Sequence, residues 1–284
     1  MMTRDDLAVP TVSRPDAGPA SSGTIVLKLA YDGTRFSGFA AQPQPQIRTV
    51  AGELVCALET FLRRPVEITC AGRTDAGVHA LSQYVSFDAS QEELDITTRR
   101  WMRAVSALLP DDIALKAVFH AASGFSARFD ARARTYTYRI VSGEVRPLLT
   151  RAFTWWNRAP LDVEAMEEAS RCLVGEHDFK SFCKAASAVG KPTCRNVMSV
   201  GFARECNLGE GCLAFTIVGN AFLHSMVRTI VGSLVEVGTG HRDPAWLADA
   251  LAACDRAAAG PTAPAQGLCF MDVTYDEGAL TPCR

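Results

Sequence analysis

Ten residues from Ala71 to Ala80 read AGRTDAGVHA. They set a cation (Arg73), a carboxylate (Asp75) and a titratable imidazole (His79) among small residues, directly before a strand-like run. Two glycines allow the backbone to turn sharply, and nothing in the stretch has an apolar period to bury. A carboxylate held in such a turn can stabilise a developing positive charge or attack it. Taken alone, Asp75 reads equally as a turn cap, a frequent use of Asp in loops. One Asp and one His are too few to ligate a metal, so His79 fits a hydrogen-bonding role in the loop.

The surrounding elements must hold this turn in place. Thr24–Tyr31 alternates and is β-branched, which predicts a strand. A Gly- and Pro-punctuated loop follows. Val50–Leu62 has helical apolar spacing, with Thr49 as its cap. Val66–Ala71 predicts a strand running into the turn, and Leu81–Phe87 another leaving it. A helix is expected over Glu92–Leu108, strands over Ile113–Phe119 and Arg132–Val141, and a helix over Val163–Leu173. Strands over Val197–Ala203 and Leu213–Val218 come next. The run NAFLHSMVRTIVGSLVEVG, residues 220–238, predicts a helix with Phe222, Leu223, Met226, Val227, Ile230, Val231, Leu234 and Val235 as its apolar stripe. A helix over Ala245–Cys254 and a strand over Leu268–Tyr275 close the chain. Strands and helices mix without strict βαβ alternation, which predicts an α+β fold with antiparallel or mixed sheets. No phosphate-loop or dinucleotide fingerprint is present; Gly33 and Gly38 lack the Lys and Ser/Thr that such a loop needs.

The 284 residues are 48% hydrophobic and 21% charged, a globular balance. No apolar run is long enough for a membrane span. The first 23 residues have early aspartates and no apolar core segment, so they predict a disordered tail rather than a secretory signal. A cytoplasmic protein is expected. The ten cysteines are scattered and form no Cys-x-x-Cys pair, which predicts free thiols and no metal site. The net charge of −2 and pI near 6.2 speak against a nucleic-acid partner, but the charge is polarised. Residues 126–158 contain seven arginines against Asp130 and Glu144, a local +5, and residues 240–284 contain three arginines against six acids. Tyr136 and Tyr138 interleave with the arginines, a pattern suited to stacking bases and binding phosphates.

At this point the residues resemble a known family. AGRTDAGVHA, preceded by YDGT-x-FSG and RTV, is similar to the motifs of the tRNA pseudouridine synthase A family. LPDDI, FSARFDARARTYTYRI, GEHDFKSFC, TCRNV, NAFLHSMVRTIVGSLVEVG and APAQGLCFMDVTY resemble further family blocks in the same order, from about Thr24 to Tyr275. The chain departs from the family at Gly38-Phe39-Ala40, where Gly-Trp-Gln is usual. It departs again at Ala51, where Gln is usual, and at Ser126-Ala127-Arg128, where His-Ala-Arg is usual.

The resemblance implies a pseudouridine synthase fold of two similar α/β halves flanking a central basic cleft. These would be residues 24–145, with the catalytic turn, and 146–284, with the MVR helix. It implies isomerisation of uridine to pseudouridine in the anticodon stem-loop of tRNA, at positions 38, 39 and 40, by a homodimer that needs no cofactor. Asp75 corresponds to the catalytic carboxylate and Arg228 to the arginine paired with it. Tyr136 corresponds to the tyrosine that packs on the target uracil, and Leu268 to the apolar residue on the other side of the base. Arg73 corresponds to the residue that keeps the nucleotide out of its stack. Tyr138 reads as a structural neighbour. Arg63, Arg64, Arg128, Arg134 and Lys184, with Lys180, Lys191 and Arg195, are candidate phosphate contacts, which give affinity rather than selectivity. The alternatives are a synthase of this fold acting on another RNA and a catalytically silent tRNA-binding protein.

Overall fold

Thr49 has extended backbone and its hydroxyl accepts the Gly52 N–H, so helix α1 starts where the sequence places it and covers Val50–Leu62. The computed structural model describes residues 22–42, 44, 46–184, 186 and 189–283; all but the last two residues of the expected N-terminal tail lie outside these. Among the described residues the strands are β1 (Gly23–Tyr31), β2 (Thr69–Cys70), β3 (His79–Ala89), β4 (Ile113–Ala121), β5 (Ala133–Ser142), β6 (Trp155–Asn157), β7 (Gly175–Asp178), β8 (Cys194–Asn207), β9 (Glu210–Gly219), β10 (Leu268–Thr274) and β11 (Thr281–Pro282). Other α-helices among the described residues are α2 (Gln91–Leu94), α3 (Thr98–Leu108), α4 (Val163–Ser170), α5 (Met226–Gly238) and α6 (Trp246–Ala252), with short 3-10 turns between elements.

One sheet runs through the molecule in the order β11-β4-β1-β3-β10-β5-β9-β8-β7, with β2 on β3 and β6 on β5. Only β3–β10 and β5–β6 are parallel; the other pairs are antiparallel. The sheets of the two halves are therefore continuous. We propose the division between them at residues 145 and 146, in the connection after β5. Strand β10, from near the end of the chain, enters between β3 and β5 and pairs Phe270 with Ala80 on one side and Tyr136 on the other. It is the hinge of the architecture, because it brings the turn before β3 beside the tyrosine of β5.

Several boundaries differ from the sequence reading for local reasons. The expected helix over 92–108 is two. Ser90 and Glu93 form a reciprocal capping box that starts α2, and Thr97 then takes an extended conformation and caps a new start for α3. The expected helix over 163–173 ends as a tight 3-10 turn at Arg171–Leu173. The strand before the turn that bears Asp75 shrinks to Thr69–Cys70. Helix α5 begins six residues later than its apolar spacing suggests, so Phe222 and Leu223 lie in the segment before it rather than on its stripe.

The core is a single cluster. Trp101 of α3 stands edge-on to Phe61 of α1 and packs on Phe87 of β3. Helix α5 is almost wholly buried. It approaches the 260–263 segment so closely that a Cβ on Gly232 would stand 1.8 Å from the Pro261 carbonyl oxygen. Only glycine fits there.

The β8–β9 hairpin is tied down at its tip by Glu210. Its carboxylate accepts the N–H groups of Leu148, Leu149 and Thr150 and the Thr150 hydroxyl at 2.6–3.1 Å. The Thr150 hydroxyl first, then the backbone donors, hold its pKa down at about 2. A carboxylate with a depressed folded pKa contributes stability above its unfolded value and loses it as pH falls toward the folded one. Glu210→Gln is therefore expected to lower the urea midpoint at neutral pH. Below about pH 4.5 the gap between the two proteins should close progressively. A gap that is independent of pH would show that the charge is not what holds the tip.

Candidate active site

Asp75 sits in the turn between β2 and β3, and several independent ties fix that turn. The buried amide of Gln83 on β3 donates to the Gly72 carbonyl at 2.6 Å and accepts the Gly72 N–H at 3.4 Å. The Thr74 hydroxyl bonds the Tyr31 hydroxyl at 2.7 Å. The Thr74 carbonyl accepts the Phe39 N–H, and Phe36 accepts the Gly77 N–H. Gly38 has φ of +100°, and a Cβ there would press on the Thr74 carbonyl at 3.0 Å. The loop after β1 and the turn before β3 are thus laced together by backbone bonds.

His79 completes the lacing from the far side. Its Nδ1 accepts the Gly33 N–H at 3.1 Å, and its Nε2 donates to the Ala152 carbonyl at 3.0 Å. That pair of partners selects one neutral tautomer, and burial lowers the imidazole pKa, which favours the same form. His79 does not line the pocket that holds Asp75. Among the described residues no group of three His, Cys, Asp or Glu side chains could hold a metal ion.

The Asp75 carboxylate faces the start of α5. Arg228 Nη1 donates to its Oδ2 at 3.0 Å, and the Ser225 hydroxyl donates to the same oxygen at 2.8 Å. His224 Nε2 approaches Oδ1 at 3.4 Å. Arg228 is itself aimed by a second bond, from Nε to the Ala263 carbonyl at 2.8 Å, while the Ala263 N–H returns a bond to the Arg228 carbonyl. The close packing at Gly232 is what lets this helix and this strand of chain hold each other. The carboxylate side chain is 18% exposed.

These groups line a cavity of about 680 Å³. Tyr136 and Leu268 form apolar wall, both nearly buried. The Tyr136 ring packs edge-on against Phe222, with centroids 5.0 Å apart, and tilted against Phe270 at 4.7 Å. Burial pushes its phenol far above the usual range, so it is neutral at physiological pH. Tyr138 lies outside the cavity. Its hydroxyl donates to the Pro264 carbonyl, and its ring is overlain by Gly267, where a Cβ would stand 2.5 Å away. Both its hydroxyl and its ring are thus engaged in packing.

Among the described residues six cations line the cavity (Arg73, Arg128, Arg134, Lys191, Arg195 and Arg228) against one carboxylate, Asp75. The +5 stretch does not act as one surface. Arg128 reaches the cavity, but Arg132 pairs with Asp276, Arg139 with Glu205, and Arg158 lies over the Trp156 ring. Arg134 corrects the sequence reading. It is 7% exposed, and its guanidinium donates to the carbonyls of Ala71, Asn220 and Arg128. Its role is to brace the cavity wall, not to meet a phosphate as a free cation. Arg64 is likewise engaged, gripping Glu93 with two bonds and the Asp88 carbonyl with a third. Arg63 is the left-handed residue that ends α1, and neither of the two lines the cavity. Lys184 also lies off it; its backbone N–H donates to the His224 carbonyl at 3.1 Å.

Sequence reasoning missed the Phe222–Ser225 segment by folding it into the helix, and it missed the supporting layer of Gln83, Tyr31 and Thr74. Gln83, a lone amide inside an apolar strand, was the visible signal for that layer.

A family model described as tRNA pseudouridine synthase matches residues 29–130 and 169–276. The tRNA pseudouridine synthase A of Geobacillus kaustophilus is 41% identical over 257 residues, covering 89% of this chain and 94% of that protein. The protein of the same name from Xanthomonas oryzae pv. oryzae is 42% identical, covering 88% and 94%, and that from Brevibacillus brevis is 43% identical, covering 87% and 97%. Among solved structures, a Cbf5–Nop10–Gar1 complex aligns at a TM-score of 0.31 and 12% identity over 75% of this chain and 54% of that one, too distant to bear on the fold. Matched over most of its length by the family and by relatives above 40% identity, the chain belongs to the tRNA pseudouridine synthase family.

Proposed function

We propose that this enzyme isomerises uridine to pseudouridine in the anticodon stem-loop of tRNA, at positions 38, 39 and 40, and that it works as a homodimer in the cytoplasm. The observation that carries the reading is Asp75, the one carboxylate lining the cavity among the described residues, paired with an arginine 153 residues away. The exposed cations Arg73, Arg128 and Lys191 of the same cavity suit a phosphate backbone. The apolar wall of Tyr136 and Leu268 suits a base taken out of its stack, whose lost stacking an aromatic face partly replaces.

The reaction balances without any carried group. The N1–C1′ bond of uridine breaks, the uracil turns while bound, C5 bonds to C1′, the C5 proton leaves and N1 gains one. Cleavage builds positive charge at the sugar, and a carboxylate beside it stabilises or captures that charge. Asp75 takes this role and Arg228 holds it. Arg73, exposed at the cavity rim, holds the displaced nucleotide. The ring of Tyr136 packs on the base, and its buried phenol acts there as a neutral hydroxyl rather than a phenolate.

The homodimer reading is supported by an apolar face away from the active cavity. Leu81, Leu149, Phe153 and Leu208 are 45–75% exposed and surround a second cavity of about 570 Å³. An exposed apolar patch of this kind marks an interaction surface. The departures at Phe39 and Ala40 lie on the wall of the active cavity, which favours comparing anticodon-stem tRNAs with other RNAs in any assay.

Three outcomes are expected. Asp75→Asn should lower tritium release from tRNA carrying tritiated uracil C5 by at least about 10³-fold while RNA affinity stays near wild type. Loss of binding in step with activity would make Asp75 structural. Tyr136→Phe should slow rearrangement more than binding, and full activity would confine the residue to packing. Leu81→Arg combined with Phe153→Asp should halve the mass measured by sedimentation; an unchanged mass would place any dimer interface elsewhere.

A further inference from the structure

Ser225 occupies the residue before α5, where a serine ordinarily caps the helix with its side chain. It does not do so here. Its backbone lies in the left-handed region, with φ 61° and ψ 9°, and its hydroxyl makes no capping bond. A residue other than glycine rarely adopts that conformation. The Ser225 carbonyl still starts the helical ladder by accepting the Thr229 N–H at 2.9 Å. The preceding peptide is fixed by the bond from the Lys184 N–H to the His224 carbonyl. The left-handed turn therefore frees only the side chain, and that side chain crosses to Asp75 Oδ2 at 2.8 Å.

Arg228, one turn further along, donates to the same oxygen at 3.0 Å. Two donors from one helix end converge on Oδ2. Oδ1 has no hydrogen bond within 3.4 Å among the described residues, where His224 Nε2 stands. The terminal torsion of an aspartate is soft, and one ion pair alone would let the carboxylate swing. A misplacement of about 1 Å at a reacting atom costs on the order of 10²-fold in rate.

We infer that Ser225 is a positioning residue. Together with Arg228 it pins Oδ2 and sets the plane of the carboxylate, so that Oδ1 is the oxygen presented to the nucleotide. The inference rests on the reading of Asp75 as the catalytic carboxylate. It explains why a serine stands in a backbone conformation that glycine would hold more easily: glycine has no hydroxyl to send to Asp75.

The test uses the full chain with Ser225→Ala, Ser225→Gly and Asp75→Asn side by side. Single-turnover tritium release, tRNA affinity and the thermal midpoint are measured for each. Both serine variants should lose about 10- to 100-fold in single-turnover rate, the scale of a hydrogen bond to a charged group, with tRNA affinity within about twofold. Ser225→Gly should match or exceed the wild-type thermal midpoint, because glycine accepts the left-handed backbone. A stable glycine variant with a slow chemical step cannot be explained by a structural role. Wild-type rates in both serine variants, beside an inactive Asp75→Asn, would overturn the role of Ser225 and leave Asp75 in place. A loss confined to tRNA affinity would overturn it too. Full activity in Asp75→Asn would instead bring down the reading on which the inference rests.

Discussion

The ion pair between Asp75 and Arg228 joins positions 153 residues apart, and much of the structure can be understood as what that joining requires. The aspartate belongs to a turn with no regular structure of its own. The arginine belongs to a helix whose other faces are buried in apolar contacts. Bringing them within hydrogen-bond distance demands that the turn be immobilised and that the helix end stop at one place. The first demand is met by Gln83, Tyr31, Thr74 and the backbone of the loop after β1. The second is met by the contact at Gly232 and the reciprocal bonds between Arg228 and Ala263.

The supporting layer is polar and buried, a combination that is costly unless every group finds a partner. Gln83 uses both ends of its amide on the N–H and C=O of one residue, Gly72, and Arg134 places its guanidinium on three carbonyls from three separate segments. Such groups fix geometry more sharply than apolar packing does, because a hydrogen bond has direction as well as distance. The cavity wall of Tyr136, Phe222 and Leu268 is the opposite case. The Tyr136 ring meets Phe222 edge-on and rests tilted on the buried Phe270, so shape and ring packing rather than directed bonds set that surface.

Much of this was legible in the sequence, and the reasons for success and failure are specific. Helix α1 could be read to the residue because Thr49 announces it. The long strands could be read from their β-branched and aromatic residues, although β1, β3 and β5 are buried on both faces. Helix α5 could not be started correctly, since Asn220–Ser225 keeps apolar residues at helical spacing and no local signal marks Ser225 as left-handed. Arg134 and Arg128 look alike in ARFDARAR, yet one faces inward along β5 and the other sits in the preceding loop at the cavity. Arg64 looked like a phosphate contact because its partner Glu93 is 29 residues on. The pairing of β10 between β3 and β5 is wholly non-local, and no period in the sequence carries it.

That strand also governs when the candidate site can assemble. The turn bearing Asp75, the tyrosine of β5 and the arginine of α5 all precede residue 268 in the chain, but the wall and the sheet between them are not closed until β10 is in place. Contacts of such large sequence separation form late, after the loop-closure entropy has been met. A chain that stops short of β10 thus carries the parts of the site without the surface that joins them.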